Sequence, residues 1–235
     1  MTQDTRQKIL VIIPAFNEEE TIASVIADVR AHASGAGILV VNDGSSDSTA
    51  AIAERMGAVT LTHPYNLGIG ATMQTGYKYA RLKGFAVAVQ VDADGQHRAD
   101  QIEPLVKPIL EGRAQITIGS RFLDGGGYKP SLARSAGMAV FSKVVSIILG
   151  VKVTDTTSGF RASGRDVINY FCYHYPDDYP EVEALVLLHR KGFRIIEVPV
   201  RMSERAGGHS SITPTRSVYY MIKVLLAIFV DLLKK

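Results

Sequence analysis

The chain has a single cysteine, Cys172, in 235 residues, so no disulfide can close within it. That usage fits a reducing, cytosolic compartment. No zinc-type Cys/His spacing, helix-turn-helix signature or block of basic residues occurs. The formal net charge is only +3, too small an excess to argue for nucleic acid as a partner. No stretch reaches the ~18 uninterrupted apolar residues of a membrane span. The start, MTQDTRQKILVIIPAFNEEE, lacks the plan of a signal peptide: its apolar run is short, stops at Pro14 and has no small-residue cleavage site. There is no internal repeat and no long low-complexity segment. What is present is 46% hydrophobic, enough to bury the core of one large domain or of a domain with a subdomain.

Apolar runs and helical patterns alternate along the first half. Residues 9–13 (ILVII) read as a strand buried on both faces. Asn17 with Glu20 resembles a capping box for a helix running to about Ala33. Strands are expected at Ile38–Val41, Val59–Leu61, Ala86–Val91 and Gln115–Ile118. Helices are expected after Asp47, from Gly68 to about Leu82, and near Asp100–Leu110. This alternation predicts an α/β fold with a mostly parallel sheet flanked by helices. Ligands of such sheets bind beyond the carboxyl ends of the strands. The polar clusters Asn17-Glu18, Asp43, Asp92/Asp94/Gln96 and Arg121 all follow strands, so they should converge on one edge.

From about Leu123 the character changes. DGGGYKPS reads as a loop, Ser135–Leu149 as a strongly apolar helix carrying Lys143, and DTTSGFRASG as a second polar loop. A helix over Glu181–Arg190 and a strand over Arg194–Val200 follow. The end, SVYYMIKVLLAIFVDLLKK, is apolar but broken by Lys223 and Asp231.

The stretch VQVDADGQH is the most informative. Side chains two apart on an extended chain point the same way. If the strand continues past Val91, the oxygens of Asp92, Asp94 and Gln96 share one face. Oxygen ligands of this kind suit Mg2+ or Mn2+, and Mg2+ is typically held by one or two carboxylates plus substrate phosphates. For a lone D-x-D, which occurs often by chance, a polar turn that caps the next helix is the better account. Gly68-x-Gly70 is no dinucleotide fingerprint, because Met73 stands where a third glycine is needed.

Taken together, the motifs resemble glycosyltransferase family 2, and within it the polyprenyl-phosphate sugar transferases (dolichyl-phosphate mannose synthase-like). The likeness rests on VIIPAFNEE at 11–19, VVNDGSSDST at 40–49, NLGIGATMQTGY at 66–77, DADGQH at 92–97 and GSRF at 119–122. TSGFRA at 157–162 and EVPVRMSERAGGHSSI at 197–212 extend it, so that it covers roughly residues 8–215. It implies an A-type nucleotide-sugar glycosyltransferase fold. Residues 1–212 would form one glycosyltransferase domain, with a nucleotide-sugar half over 1–122 and an acceptor half over 123–212. An apolar C-terminal helix over 213–235 would follow.

The resemblance implies an inverting, metal-dependent hexosyltransferase. A UDP- or GDP-sugar would be the donor and undecaprenyl or dolichyl phosphate the acceptor. Pro14, Ala15, Glu18, Asp43, Asp92 and Ala93 would line the nucleotide pocket, with Arg205 on the donor diphosphate. Asp92, Asp94 and Gln96 would hold the metal, with Asp94 and Arg121 as catalytic residues. Arg121 and Arg134 would meet the acceptor phosphate, and Asp155, Ser158, Gly159 and Glu183 the sugar. His97 reads as a packing or helix-entry residue rather than a base, because a phosphate with a second pKa of about 6 is already a nucleophile. Ser211 stands where the mannose synthases tend to have a lysine, which favours UDP-sugar relatives.

Bland readings stand beside these. Asp43 and Asp47 can serve only an Asx turn and a helix cap. Glu183 can be a helix-surface carboxylate, and the arginines solvated charges. The apolar segments at 135–149 and 217–235 carry lysines, and the second also Tyr219, Tyr220 and Phe229, which suits a membrane interface; core or oligomer packing is the alternative. The expectation is a peripheral protein on the cytoplasmic side of the cell membrane, with a separate membrane protein or a second copy as further partners. A family member with a non-lipid acceptor and a silent nucleotide-sugar-binding module are the rival readings.

Overall fold

The computed structural model describes residues 8–123, 142–143, 145–146, 150, 153–177 and 180–203. Its strands are β1 (Ile9–Ala15), β2 (Gly37–Asn42), β3 (Val59–Thr62), β4 (Val87–Gln90), β5 (Ile116–Ser120), β6 (Arg161–Gly164) and β7 (Ile195–Pro199). They form one sheet in the order β3-β2-β1-β4-β6-β5-β7. All neighbours are parallel except β6, which runs antiparallel to both β4 and β5. The expected mostly parallel α/β sheet is therefore present.

The helices are α1 (Ile22–His32), α2 (Thr49–Arg55), α3 (Ile69–Leu82), α4 (Ile102–Leu110), α5 (Arg165–Phe171) and α6 (Pro180–Arg190), with a 3-10 turn at Ala99–Gln101 before α4. They cover both faces of the sheet, which is why β1 can be apolar at almost every position. Ile9, Val11 and Ile13 face α1, α2 and α4, through Ile26, Ala53 and Leu105. Leu10 and Ile12 face α3, α5 and α6, through Met73, Phe171 and Leu188. Helix α3 lies close on β1: a Cβ on Gly76 would sit 2.6 Å from Ile12 Cγ2.

Three expectations need correction. Asn17 does not cap α1, which begins at Ile22; Asn17 sits at φ 54° and uses its side chain elsewhere. The segment read as a polar loop, DTTSGFRASG, contains β6, and α5 follows directly. β6 is short and has no β-branched residue; it is a strand because β4 and β5 pair with it on both sides. Finally, the extended geometry of β4 stops at Gln90, and a turn over residues 93–95, with Gly95 at φ 77°, replaces the continuous face proposed for Asp92, Asp94 and Gln96.

Arg134, Arg205 and the C-terminal segment 213–235 lie outside the described residues, as does most of the 135–149 segment. Among the described residues, no helix is long and apolar enough to cross a membrane.

Candidate active site

The loops after β1 and β2 are laced together. Asn17 Oδ1 accepts the Ser46 N–H at 2.9 Å, and Glu18 N–H donates to Thr49 Oγ1 at 2.8 Å. Asp47 accepts the N–H groups of Thr49 (3.0 Å) and Glu19 (3.1 Å), so it forms an Asx turn into α2 and ties the start of that helix to the β1 loop. Burial alone would raise the Asp47 pKa, but the hydrogen bonds from Thr49 and Glu19 outweigh it and hold it below the ordinary value.

Asp43 is buried at the end of β2. Its Oδ1 accepts the Leu67 N–H at 2.9 Å and faces His63 Nδ1 at 2.7 Å, while Oδ2 accepts the Gly68 N–H at 2.8 Å. The carboxylate thus fixes the entry to α3, beyond the simple Asx turn and cap considered from sequence. Its backbone N–H donates to Ala15 O, which joins it to the buried end of β1.

Beyond β4, the Asp92 N–H donates to His97 Nδ1 at 3.0 Å. A backbone N–H can only donate, so Nδ1 is unprotonated and the ring proton of the neutral imidazole is on Nε2, 3.6 Å from Asp92 Oδ2. His97 is buried and stacked on Phe160 at 4.8 Å, the packing role expected of it. Asp92 Oδ1 also accepts from Gln90 Nε2 at 3.0 Å. Asp94 is buried within the turn, and its Oδ1 accepts the Gln96 N–H.

A cleft of about 190 Å³ opens at this edge. Pro14, Glu18, Asp92, Ala93 and Asp94 line it, five of the residues expected around a nucleotide and metal. Gln90, Ile69 and Glu181 complete the wall. Gln90 is detectable as an amide closing an apolar strand, as Asn42 closes β2. Glu181, rather than Glu183, is the α6 carboxylate at the cleft. Gln96 is not in the wall; its backbone is held by Asp94 and by Ser203, whose N–H donates to Gln96 O.

Among the described residues, no three His, Cys, Asp or Glu side chains gather closely enough to hold a metal alone. Asp92 and Asp94 open onto one small cleft, whose wall also carries Glu18 and Glu181. This donor set fits a hard cation that takes its remaining ligands from a phosphate-bearing substrate and water.

A second group of residues lies at the end of β5. Arg121 Nε and Nη2 donate to the two oxygens of Asp155, each at 2.7 Å, and Nη2 donates to Thr157 Oγ1 at 3.0 Å. The loop carrying Asp155 runs on to the cleft. Ser158 is buried, and its carbonyl accepts from Arg161 Nε at 2.8 Å. At Gly159, a Cβ would stand 2.8 Å from Gln90 Nε2 and 3.2 Å from Asp92 Oδ2. One short loop therefore touches Arg121 at one end and Asp92 at the other.

A mostly parallel α/β sheet with carboxylates converging beyond its strand ends is the arrangement expected of an A-type nucleotide-sugar glycosyltransferase fold. Comparison with known proteins agrees. The family model described as glycosyl transferase family 2 matches residues 10–171. The chain is 30% identical over 228 residues to polyprenol monophosphomannose synthase of Mycolicibacterium smegmatis, covering 93% of this chain and 86% of that protein. It is 30% identical over 213 residues to UDP-N-acetylglucosamine–dolichyl-phosphate N-acetylglucosaminyltransferase of Methanococcus voltae, covering 82% and 84%. A solved structure of glucosyl-3-phosphoglycerate synthase from Mycobacterium tuberculosis, with Mn2+, UDP and glucosyl-3-phosphoglycerate, superposes with a TM-score of 0.70 at 19% identity, covering 98% of this chain and 84% of that one. The chain belongs to glycosyl transferase family 2.

Proposed function

We propose that the chain transfers a hexosyl group, with inversion, from a UDP- or GDP-sugar to a polyprenyl phosphate at the cytoplasmic face of the cell membrane. The observation that carries this reading is the carboxylate-lined cleft, joined by a single loop to the Arg121–Asp155 pair. The names of the two relatives support the lipid phosphate acceptor, and their different sugars leave the donor open.

In this reading Pro14, Ala15, Glu18, Asp92 and Ala93 receive the nucleotide, and Asp43 shapes or contacts the base and ribose side. Asp92 and Asp94 would hold Mg2+ or Mn2+, and Gln96, outside the cleft wall, steadies Asp94 through its backbone N–H. When bound, the cation neutralises charge on the departing nucleoside diphosphate. Arg121, aimed by Asp155, orients the acceptor phosphate; Arg134 and Arg205, outside the described residues, are proposed for the acceptor phosphate and the donor diphosphate. Ser158, Gly159 and Glu181 border the sugar. One phosphate oxygen of the acceptor attacks the anomeric carbon as the bond from that carbon to the diphosphate oxygen breaks. A dianionic phosphate needs no base, which agrees with His97 being spent on packing. Residues 1–212 act as one glycosyltransferase domain, and 213–235 as an interfacial helix.

A small phosphorylated acceptor is the second reading, because the solved neighbour is named for one. The test is transfer from a panel of UDP- and GDP-sugars to undecaprenyl phosphate, dolichyl phosphate and 3-phosphoglycerate, with Mg2+ or Mn2+. Lipid-phosphate turnover that is abolished in Asp94→Ala and by chelation is the expected result. Turnover with 3-phosphoglycerate alone establishes the second reading, and turnover with neither overturns both.

A further inference from the structure

Glu197, in the middle of the last strand, has no role in the reading above, yet its contacts lead straight into the site. Its carboxylate accepts the Thr154 N–H at 2.8 Å to both oxygens, the Asp155 N–H at 2.8 Å and the Thr154 hydroxyl at 2.9 Å. Two consecutive backbone N–H groups aimed at one anion form a nest, and here the anion is part of the chain itself. The Thr154 hydroxyl also lies 2.7 Å from Ser120 Oγ, at the end of β5. One residue along the loop, the buried Asp155 carboxylate takes the N–H, Nε and Nη2 of Arg121. Glu197 thus fixes the backbone from which Asp155 fixes Arg121.

We infer that Glu197 is a positioning residue for acceptor binding: it sets the 154–155 backbone, and through Asp155 the angle of the Arg121 guanidinium. The inference rests on the proposed role of Arg121 at a phosphate acceptor. Charge gives a second argument. Asp155 already balances Arg121, so the arginine acts on a phosphate chiefly through the direction of its donors, and direction is what Glu197 controls. A displacement of about 1 Å in such a group is enough to cost about a hundredfold.

The test uses the full chain with Glu197→Gln, which keeps the shape but offers one acceptor oxygen instead of two, and Glu197→Ala. Donor and acceptor KM are measured separately, beside amide hydrogen exchange over residues 153–157. The expected result for Glu197→Gln is an acceptor KM raised about tenfold, a donor KM held within about twofold, faster exchange at Thr154 and Asp155, and an unchanged thermal midpoint. Glu197→Ala should show the same pattern more strongly; should it fail to fold, Glu197→Gln alone decides. Equal changes in both KM values, or no change in the acceptor KM, overturn the inference. Wild-type protein that transfers to no lipid phosphate removes the proposed function instead. Exchange then still decides whether Glu197 holds the loop, and unaltered exchange at 154–155 overturns that too.

Discussion

Arg121 and Asp155 meet fork to fork, with both nitrogen–oxygen distances at 2.7 Å and the Arg121 backbone N–H adding a third contact to the same carboxylate at 3.1 Å. The aspartate side chain is wholly buried and the arginine retains 18% of its exposure. Such a pair does not add much stability over an apolar substitute, but removing one partner strands the other charge. Its value lies in fixing a planar guanidinium at the rim of the site.

Asp155→Ala should therefore destabilise the fold by roughly 3 kcal/mol, through the uncompensated arginine and the lost N–H partner. Arg121→Lys should cost less stability and more activity, since an ammonium cannot keep the two parallel hydrogen bonds. Denaturant unfolding together with transfer rates checks both. Equal activity in wild type and Arg121→Lys would rule out a directional role for the arginine.

Gly159, at the other end of the same loop, lies against two residues of the cleft wall, Gln90 and Asp92. A methyl group there meets the amide of Gln90 and the carboxylate of Asp92, neither of which can retreat without losing their mutual hydrogen bond. Gly159→Ala should cost about 1–3 kcal/mol of stability by overpacking. It should also weaken donor binding more than acceptor binding, because Gln90 must shift and its hydrogen-bond partner is Asp92 in the same cleft wall. Calorimetric titration with UDP and GDP in the presence of Mn2+ reads this directly, and undiminished nucleotide affinity would show that Asp92 lies outside the nucleotide site.

Much of this architecture is legible in the residues. ILVII announces a doubly covered strand because helices on both faces demand apolar residues at successive positions. The carboxylates after β4 are legible because strand ends are where parallel sheets bind ligands. β6 is not legible. RASG carries no strand propensity of its own, and its place between β4 and β5 comes from long-range pairing. Asn17 looks like a cap by spacing, yet the neighbouring β2 loop supplies its partner, Ser46, from 29 residues away. Glu181 and Glu183 are both in the first turn of α6, and helical spacing puts them on different sides; only docking against the sheet selects Glu181 for the cleft. Glu197 shows the same limit, because its partners lie more than 40 residues away in sequence.

Behind the cleft, two phenols give the fold an alkaline limit. Tyr77 is buried on α3 and lies 3.2 Å from Ser163 Oγ; Tyr175 packs against it with ring centroids 5.3 Å apart. Burial raises the Tyr77 pKa above its ordinary 10.0, opposed by the Ser163 hydrogen bond and the charge of Arg161. Tyr175 is raised further, by desolvation first, then by Tyr77, with Glu181 and Asp92 adding to it and Arg161 opposing. A raised folded pKa means that the folded state keeps its proton where the unfolded chain would release it. The stability contributed is therefore complete below the unfolded value near 10.0 and is lost as pH rises through the higher folded value. Thermal midpoints should begin to slip above about pH 9, where the buried Cys172 thiol, raised above its ordinary 9.0, adds its own loss, and fall more steeply beyond 10.0. Tyr175→Phe should lessen the fall, since the most strongly raised of the late phenol protons is gone. Tyrosinate absorbance followed through the same titration should show a late group of ionisations that coincides with unfolding. If every tyrosine ionises in one early step while the fold persists, Tyr77 and Tyr175 are not shielded as their packing requires.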